Sequence, residues 1–241
     1  MKELQKVMSG VRRAVQHYDM IADGDRLVVG LSGGKDSSAL LLALANMREF
    51  LPVKYDLAAV TVDMGFPGYR EKLAVLERFC ADLGVEYRIV GTQIAQIVFD
   101  ERKEKNPCAL CAKLRRGALN NAALEWGANK IALGHHLDDA VETFMMSVMH
   151  EGRIGCFSPV TWYDDRRFFV IRPLIYTTER EVKALVRAAE LPVVESSCPE
   201  NGNTEREEMK KYLRTFDDLH RGLYKRVLGA LERREIDGWH A

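Results

Sequence analysis

The sequence contains no long apolar segment and no excess of charge of either sign. No run approaches the roughly 18 to 20 apolar residues that cross a bilayer, and residues 1–21 have a charged amphipathic pattern without the apolar core of a signal peptide. We therefore expect a cytosolic protein with no membrane contact. Lysine plus arginine number 35, as do aspartate plus glutamate, so the net charge is zero. This balance argues against a globally basic nucleic-acid-binding protein and leaves local basic patches.

The sequence contains few cysteines, and their number is odd. The five cysteines are Cys80, Cys108, Cys111, Cys156 and Cys198. In a reducing compartment this number disfavours a disulfide framework, and the single Cys-x-x-Cys pair favours a metal or redox site. The 241 residues are 47% hydrophobic and 29% charged, which excludes a disordered chain and is typical of one large globular α/β domain.

Short apolar runs alternate with helical patterns along the chain. The predicted strands are 26–31, 55–63, 86–90, 129–134 and 168–171, and the predicted helices between them are 37–47, 71–83, 110–126 and 137–149. This alternation indicates a doubly wound, mainly parallel α/β sheet. Residues 151–167 are predicted to be loop. We divide the chain into a nucleotide-binding core, 1–175, and a smaller, mostly helical C-terminal part, 176–241, with helices at 178–190 and from 205 to 235.

A glycine-rich loop separates the first predicted strand from the next helix. Its residues are Ser32, Gly33, Gly34, Lys35, Asp36 and Ser37. Two consecutive glycines let backbone N–H groups converge on an anion, and the N-terminus of the helix adds partial positive charge. The loop also supplies hydroxyls, a cation, and a carboxylate that is either a magnesium ligand or a helix cap. The pattern predicts a phosphate or pyrophosphate site, without the Walker spacing.

The string SGGKDS resembles the signature of the PP-loop ATP pyrophosphatases. The resemblance implies an adenine-nucleotide α-hydrolase-like fold that splits ATP into AMP and pyrophosphate, with Mg2+ on the phosphates. It also implies that a carbonyl oxygen is adenylated and so becomes a leaving group. Asp63 ends the second predicted strand, at the edge of the sheet that binds ligands in such folds. We expect Asp63 to contact the ribose or adenine; the alternative is a turn or helix cap.

The Cys-x-x-Cys pair opens a helical pattern after Pro107. Cys108 and Cys111 share one face near the positive helix end, which lowers the pKa of a thiol, so the pair is suited to metal chelation or thiol exchange. Cys198, in a polar loop before Pro199, is the candidate third ligand. Three cysteines leave one metal of a four-metal cluster without a protein thiolate. A zinc ion would need a fourth ligand; the candidates are His135, His136 and Cys156.

Further motifs resemble the tRNA 2-thiocytidine synthetase group over residues 25–215. They are the PP-loop, the cysteine pair with Leu-Arg-Arg-Gly behind it, Gly-His-His-Leu-Asp-Asp at 134–139, Ile-Arg-Pro-Leu at 171–174, and a lone cysteine in a C-terminal loop. The resemblance implies that Cys108, Cys111 and Cys198 hold a [4Fe-4S] cluster. It implies ATP-dependent replacement of the C2 oxygen of a cytidine by sulfur, in the tRNA anticodon arm at a position of the 32 type.

The remaining candidate site residues follow from the same motifs. The 134–139 string follows the fourth predicted strand, so its loop faces the same sheet edge as the phosphate loop. We place Gly134 and His135 in the nucleotide site and assign acid/base work or magnesium binding to Asp139. Arg115 aligns with the basic residue that follows the cysteine pair in related thiolases, and with Lys35 it completes the predicted catalytic set.

The resemblance implies tRNA and a sulfur donor, either a cysteine desulfurase or sulfide, as partners. Basic residues concentrate at 102–116, 210–214 and 220–226, and we expect the first run to contact tRNA. A homodimer would combine two such faces. The zinc ribbons of the related group that thiolates a T-loop uridine are absent from the sequence, which favours cytidine.

Three other functions fit parts of the pattern. A persulfide and disulfide cycle between Cys111 and Cys198 would thiolate uridine or cytidine without a cluster. A lysidine-type ligation would join an amine, but it does not need three cysteines. A nucleotide-binding or zinc-stabilised module without catalysis would not need Lys35, Asp36 and the acids at the sheet edge.

Overall fold

One six-stranded sheet forms the centre of the molecule in the computed structural model, which describes residues 1–102, 107–163, 168–195, 197–199 and 205–233. The strands are β1 (Asp25–Gly30), β2 (Tyr55–Asp63), β3 (Glu86–Gly91), β4 (Lys130–Ala132), β5 (Val160–Tyr163) and β6 (Phe168–Ile171). Their order is β3-β2-β1-β4-β6-β5. All neighbours are parallel except β5 and β6. The predicted doubly wound, mainly parallel α/β fold is confirmed.

Helices cover both faces of the sheet. They are α1 (Lys2–His17), α2 (Lys35–Met47), α3 (Tyr69–Lys72), α4 (Ala74–Asp82), α5 (Pro107–Glu125), α6 (Leu137–His150), α7 (Glu179–Ala188), α8 (Glu205–Leu219) and α9 (Leu223–Arg233). A π-helical turn spans Gln96–Glu101 and a 3-10 turn spans Pro173–Tyr176. Within the described ranges, no helix combines the length and apolar character needed to cross a membrane.

Alternation along the strands builds two hydrophobic cores. Leu27 and Val29 of β1 belong to the larger core, which also includes residues of α1, α2, α6 and α7. Val28 points to the opposite face and joins the smaller core, with residues of α5. Because successive strand side chains alternate between faces, a strand buried on both sides reads as a continuous apolar run. This is why the central strands were predictable from sequence.

Helix α2 is enclosed between the sheet and other helices. It packs on β1, α1 and α7, and buried residues occur on every side of it, including Ser37 and Ser38. Its N-terminus therefore has a fixed position at the carboxyl ends of β1 and β4.

The C-terminal part is helical, as predicted, and α8 and α9 pack on α6. Their buried residues Met209, Leu213, Leu228 and Leu231 belong to the larger core. The helices predicted from 205 onwards are α8 and α9, and the chain turns between them at Gly222, where φ is +88°. The division of the chain at residues 175 and 176 stays a prediction.

The prediction of loop throughout 151–167 is wrong. Val160–Tyr163 forms β5, which pairs antiparallel with β6 at the edge of the sheet. The strand is short and only partly buried, and exposed Trp162 packs against Phe169 with the rings tilted and 4.5 Å between ring centroids. Four residues on an edge carry too little apolar alternation to be distinguished from loop. Residues 164–167 lie outside the described part of the chain.

A buried ion pair joins β1 and β4 at the edge of the sheet opposite the strand carboxyl ends. Lys130 Nζ lies 2.7 Å from Asp25 Oδ2 and donates to Met20 O at 2.9 Å. Asn129 Nδ2 donates to Asp25 Oδ1 at 2.7 Å. Both partners are almost fully buried, so each charge depends on the other for compensation.

We expect Asp25→Asn to lower the free energy of unfolding by about 3 kcal/mol, because the Lys130 charge would stay buried without its partner. Asp56→Asn is the matched control, since it removes an exposed ion pair with Arg26, worth about 1 kcal/mol or less. Denaturant unfolding of both variants measures the difference. Equal losses of unfolding free energy in the two variants would show that the buried ion pair stabilises the fold no more than the exposed one.

Candidate active site

Loops that follow β1, β2 and β4 meet at one edge of the sheet. The three strands are parallel, so their carboxyl ends lie side by side. The phosphate loop follows β1, Asp63 ends β2, and residues 133–136 link β4 to α6.

The phosphate loop is held by its own hydroxyl groups. Ser37 Oγ donates to Gly34 O at 2.9 Å, and Gly34 N donates to Ser32 Oγ at 3.3 Å. Gly33 has φ +80°, a conformation that favours glycine. Lys35 begins α2, whose first N–H groups have no partner within the helix. The geometry is that of a loop that presents N–H groups to an anion.

Gly134 brings the loop after β4 against the first turn of α2. A Cβ at this position would lie 3.0 Å from the carbonyl carbon of Asp36 and from Ser37 N. Only a residue without a side chain permits this approach of two backbones. The predicted site residue Gly134 is thus adjacent to the phosphate loop.

Four cations surround the carboxylate of Glu179, the first residue of α7. Lys35 Nζ lies 3.2 Å from Glu179 Oε1 and Lys183 Nζ 2.9 Å from Oε2; Lys210 and Arg214 of α8 lie at 4.0 and 3.8 Å. Although burial favours the neutral acid, Lys183 and Lys35 lower the pKa of Glu179 to about 2. Burial disfavours the charged Lys35, but Asp36 and Glu179 outweigh this effect and raise its pKa. Lys35 is therefore charged and fixed.

Asp36 presents a buried oxygen to the site. Its Oδ2 accepts from Lys35 Nζ at 2.8 Å, whereas Oδ1 is buried and has no hydrogen-bond partner among the described residues. His136 Nε2 lies 3.5 Å from Oδ1, a distance too long for a good hydrogen bond. A buried carboxylate oxygen of this kind is a suitable ligand for Mg2+.

Asp139 and His136 cap α6 reciprocally. His136 N donates to Asp139 Oδ2 at 2.9 Å, and Asp139 N donates to His136 Nδ1 at 3.3 Å. Because Nδ1 accepts, the ring proton of a neutral His136 is on Nε2, which faces Asp36. Arg206 Nη1 lies 3.8 Å from Asp139 Oδ1. Asp139 is at the predicted edge, but its carboxylate is used for capping.

Asp63, Tyr69 and Arg115 lie within electrostatic range of one another. Burial raises the pKa of Tyr69, the Asp63 carboxylate raises it further, and the Arg115 guanidinium lowers it. Tyr69 donates its hydroxyl hydrogen to Ser32 O at 3.1 Å, and Asp63 Oδ1 accepts from Gly65 N at 3.0 Å. Tyr69 thus contacts the phosphate loop and lies within electrostatic range of both Asp63 and Arg115.

The three predicted ligand thiols come from two parts of the chain. Cys108 is exposed and Cys111 half-buried at the start of α5, and Cys198 precedes α8. Burial raises the pKa of Cys111, and the nearby charge of Arg115 lowers it. Cys198 and Cys108 raise this pKa further, so both thiols lie within electrostatic range of Cys111. None of the five cysteines, all of them described, forms a disulfide. Within the described ranges, no three His, Cys, Asp or Glu side chains converge on a site for one metal ion.

The segment that leads to Cys198 is attached to the phosphate loop. Val194 N donates to Gly33 O at 2.8 Å, and Ser38 Oγ donates to Pro192 O at 3.0 Å. Lys72 Nζ donates to Ser197 Oγ at 3.2 Å. One backbone hydrogen bond therefore joins the phosphate loop to the segment before the third cysteine, and side-chain bonds from α2 and α3 hold the same segment.

His135 lies apart from the phosphate contacts, beside a buried arginine. Its ring is 5.0 Å from the Phe157 ring, and Arg172 Cζ lies 4.9 Å from the same ring. Burial and the Arg172 charge lower the pKa of His135 to about 4, so it is neutral at pH 7. Residues 103–106 of the predicted tRNA contact lie outside the described part of the chain; Lys113, Arg115 and Arg116 are exposed on α5.

The sequence was compared with known families and proteins. A family model described as a PP-loop domain matches residues 5–215. The chain belongs to the PP-loop family. A relative in Geobacter sulfurreducens named tRNA-cytidine(32) 2-sulfurtransferase is 39% identical over 230 residues, covering 94% of this chain and 89% of that protein. A relative of the same name in Pectobacterium atrosepticum is 37% identical, with coverage of 96% and 75%.

Among solved PP-loop structures, the U34-tRNA thiolase NcsA from Methanococcus maripaludis with its [4Fe-4S] cluster is similar. The TM-score is 0.72 at 28% identity, and the match covers 93% of this chain and 79% of that chain. The identified resemblance to PP-loop tRNA thiolases is therefore confirmed.

Sequence reasoning missed three residues that shape this PP-loop site. They are Tyr69, which donates to Ser32, Glu179, which pairs with Lys35, and Val194, which pairs with Gly33. Only Glu179 carried a local signal. It follows Thr178, the first residue of a capping box that marks a helix start, but nothing in that motif indicates a contact with α2.

We expect Gly134→Ala to weaken ATP binding at least about tenfold, because the new Cβ would push the loop after β4 away from α2 and displace the N–H groups of the phosphate loop. Calorimetric titration with ATP measures the effect. Gly91→Ala is the matched control, because a Cβ there meets nothing within 4 Å. Unchanged ATP affinity in Gly134→Ala would show that the contact does not position the loop.

Glu142, one helical turn after Asp138 on α6, predicts a pH dependence of stability. Burial raises its pKa to about 7, although Lys210 and Arg206 lower it. Between pH 4.5 and 7 the folded protein keeps this proton and the unfolded chain has released it. Stability therefore falls as pH rises through this interval. We expect Glu142→Gln to flatten that decline, as measured by denaturant unfolding from pH 5 to 8; an unchanged decline would assign it to another group.

Proposed function

We propose that this protein is an ATP-dependent tRNA sulfurtransferase that replaces the C2 oxygen of a cytidine in the anticodon arm, at position 32, by sulfur. One observation carries the proposal: the segment leading to the third cysteine is hydrogen-bonded to the phosphate loop through Val194 and Gly33. A nucleotide on that loop and sulfur chemistry at the thiols would therefore share one site. The relatives named tRNA-cytidine(32) 2-sulfurtransferase support this reaction, and the similar U34-tRNA thiolase NcsA supports tRNA thiolation more generally.

The phosphate loop and its neighbours bind ATP in this proposal. The N–H groups of the first turn of α2 hold phosphate oxygens, and Lys35 neutralises the charge that develops on pyrophosphate. Asp36 Oδ1, buried without a partner among the described residues, suits Mg2+. Asp63, oriented by Gly65 N–H, is proposed to contact the ribose or adenine.

The first chemical step is adenylation of the tRNA base. The C2 oxygen attacks the α-phosphorus of ATP, an O–P bond forms, and the bond to pyrophosphate breaks. Lys35 is fixed by Glu179 and Asp36 before the reaction, so it needs little reorganisation as charge develops. A sulfur nucleophile then attacks C2, and AMP leaves with the oxygen.

Cys108, Cys111 and Cys198 would hold a [4Fe-4S] cluster. Their chemistry fits, because thiolates are the ligands of such clusters. Cys108 and Cys198 also lie within electrostatic range of Cys111. A bound cluster would supply one iron without a protein thiolate, which can carry sulfur. Arg115 lies in electrostatic range of both Cys111 and Tyr69, so we propose that it stabilises negative charge between the thiols and the nucleotide.

Asp139 is proposed to act mainly through His136. Its carboxylate accepts from His136 N, which supports a positioning role and leaves its direct acid/base role as a prediction. The sulfur donor, a homodimer and a cytoplasmic location also stay predictions.

A cluster-free cycle is the second candidate. Cys198 raises the pKa of Cys111, so the two thiols are near enough to interact, and a persulfide on one with a disulfide between both would need no cluster. Iron content separates this mechanism from the cluster-dependent reaction.

We expect anaerobically purified protein to contain about four irons and four sulfides per chain and to thiolate tRNA with ATP. Cys198→Ala should lose the iron and the thiolation but keep ATP binding, because residue 198 does not belong to the phosphate loop. Cys156→Ala is the matched control and should keep all three properties. Full thiolation by Cys198→Ala would overturn the cysteine assignment, and thiolation by iron-free wild type would favour the persulfide cycle.

A further inference from the structure

Helix α1 presents a cationic face to solvent. Its exposed cations are Lys2, Lys6, Arg12 and Arg13. Exposed Gln5, Ser9 and Gln16 add neutral hydrogen-bonding groups. Its one acidic residue, Glu3, is only half-exposed. The apolar side of the helix, with Val7 and Val11, is buried in the larger core, so the cations project away from the fold.

Helix α7 packs against α1 and also carries exposed cations. Its exposed cations are Arg180, Lys183 and Arg187, which share one side of the helix. Neither helix, both of which are described in full, has an exposed carboxylate side chain. The seven cations together are called the α1–α7 basic face. In a protein with zero net charge, such a concentration raises the local potential for an anionic partner.

A cleft of about 460 Å³ lies within the face. Its lining includes Lys6, Arg12, Arg13, Ser9 and Tyr176, together with one carboxylate, Glu181, which is paired with Lys6. Arg13 Cζ lies 3.7 Å from the centre of the Tyr176 ring, an arrangement that fixes the guanidinium. Apart from Met1, no large apolar side chain of the two helices is exposed. The surface therefore lacks the apolar anchors of a protein interface or a membrane-inserting helix.

The basic face is continuous with the nucleotide site. Lys6 Nζ lies 3.2 Å from Glu181 Oε1, in the first turn of α7. Glu179, in the same turn, contacts Lys35 of the phosphate loop. A polyanion that lies along α1 would thus reach the site edge past Glu181 and Glu179, whose partly exposed carboxylates are each paired with lysine.

We propose that the α1–α7 basic face binds the phosphodiester backbone of the tRNA substrate. The proposal rests on the proposed function and extends it, because the sequence indicated residues 102–116 instead. Clustered Lys and Arg side chains with neutral donors between them match the phosphates of RNA, and such contacts position the RNA without reading its sequence. The face would hold tRNA while the target base enters the site.

The test uses the double variant Arg12→Glu and Arg187→Glu, in anaerobically purified full-length protein. These residues are exposed, one on each helix, and neither belongs to the phosphate loop or the thiol set. We expect the Kd for tRNA at about 0.1 M salt to rise about tenfold, and the slope of log Kd against log salt to fall by about two. The KM for tRNA should rise, whereas ATP affinity and kcat at saturating tRNA should stay unchanged.

Lys54→Glu with Arg78→Glu is the matched control, because it reverses two exposed cations elsewhere and changes the net charge equally. It should bind tRNA within about twofold of wild type. Equal effects of both double variants, or no effect of Arg12→Glu and Arg187→Glu, would overturn the inference and leave the proposed function intact. A change of sedimentation without a change of tRNA affinity would assign the face to a contact between copies. Wild type that neither binds nor thiolates tRNA would contradict both proposals.

Discussion

The site depends on the close approach of two backbones at Gly134. A parallel sheet brings the ends of β1 and β4 together, but only a residue without a Cβ lets the loop after β4 lie against the first turn of α2. Since α2 is enclosed by packing, this contact fixes one loop relative to the other. The hydrogen bonds of His136 with Asp139, and the orientation of His136 Nε2 towards Asp36, follow from that fixed placement.

The net charge of this protein is zero, but the charged side chains are not evenly distributed over the fold. At the site edge a single carboxylate, Glu179, is shared by four cations from three elements. Burial would favour the neutral acid, yet the cations keep it ionised, and Lys35 stays charged for the same reason. The edge consequently holds Lys35 as a fixed positive charge beside the phosphate loop, which suits a polyphosphate although the net charge of the chain is zero.

Sequence patterns revealed most of the fold because the informative residues are locally encoded. Strands β1 and β2 are apolar runs, α2 follows a glycine loop, and capping residues mark the start of α7. The edge strand β5 escaped detection because four half-buried residues carry almost no periodicity. Glu179 and Val194 were missed as site residues for a different reason. Their partners, Lys35 and Gly33, lie more than 140 positions earlier in the chain, and no local pattern encodes a tertiary contact.

The Val194–Gly33 hydrogen bond connects the thiol part of the site to the nucleotide-binding part. One backbone amide belongs to the segment before Cys198, and the carbonyl it contacts belongs to the loop that would hold ATP phosphates. If phosphate binding and ligation at Cys198 both change the population of conformers in which this bond is made, each changes the affinity of the protein for the other by the same factor. Ligation at the thiols and nucleotide binding at the phosphate loop are then thermodynamically coupled. This coupling would act before any RNA has bound.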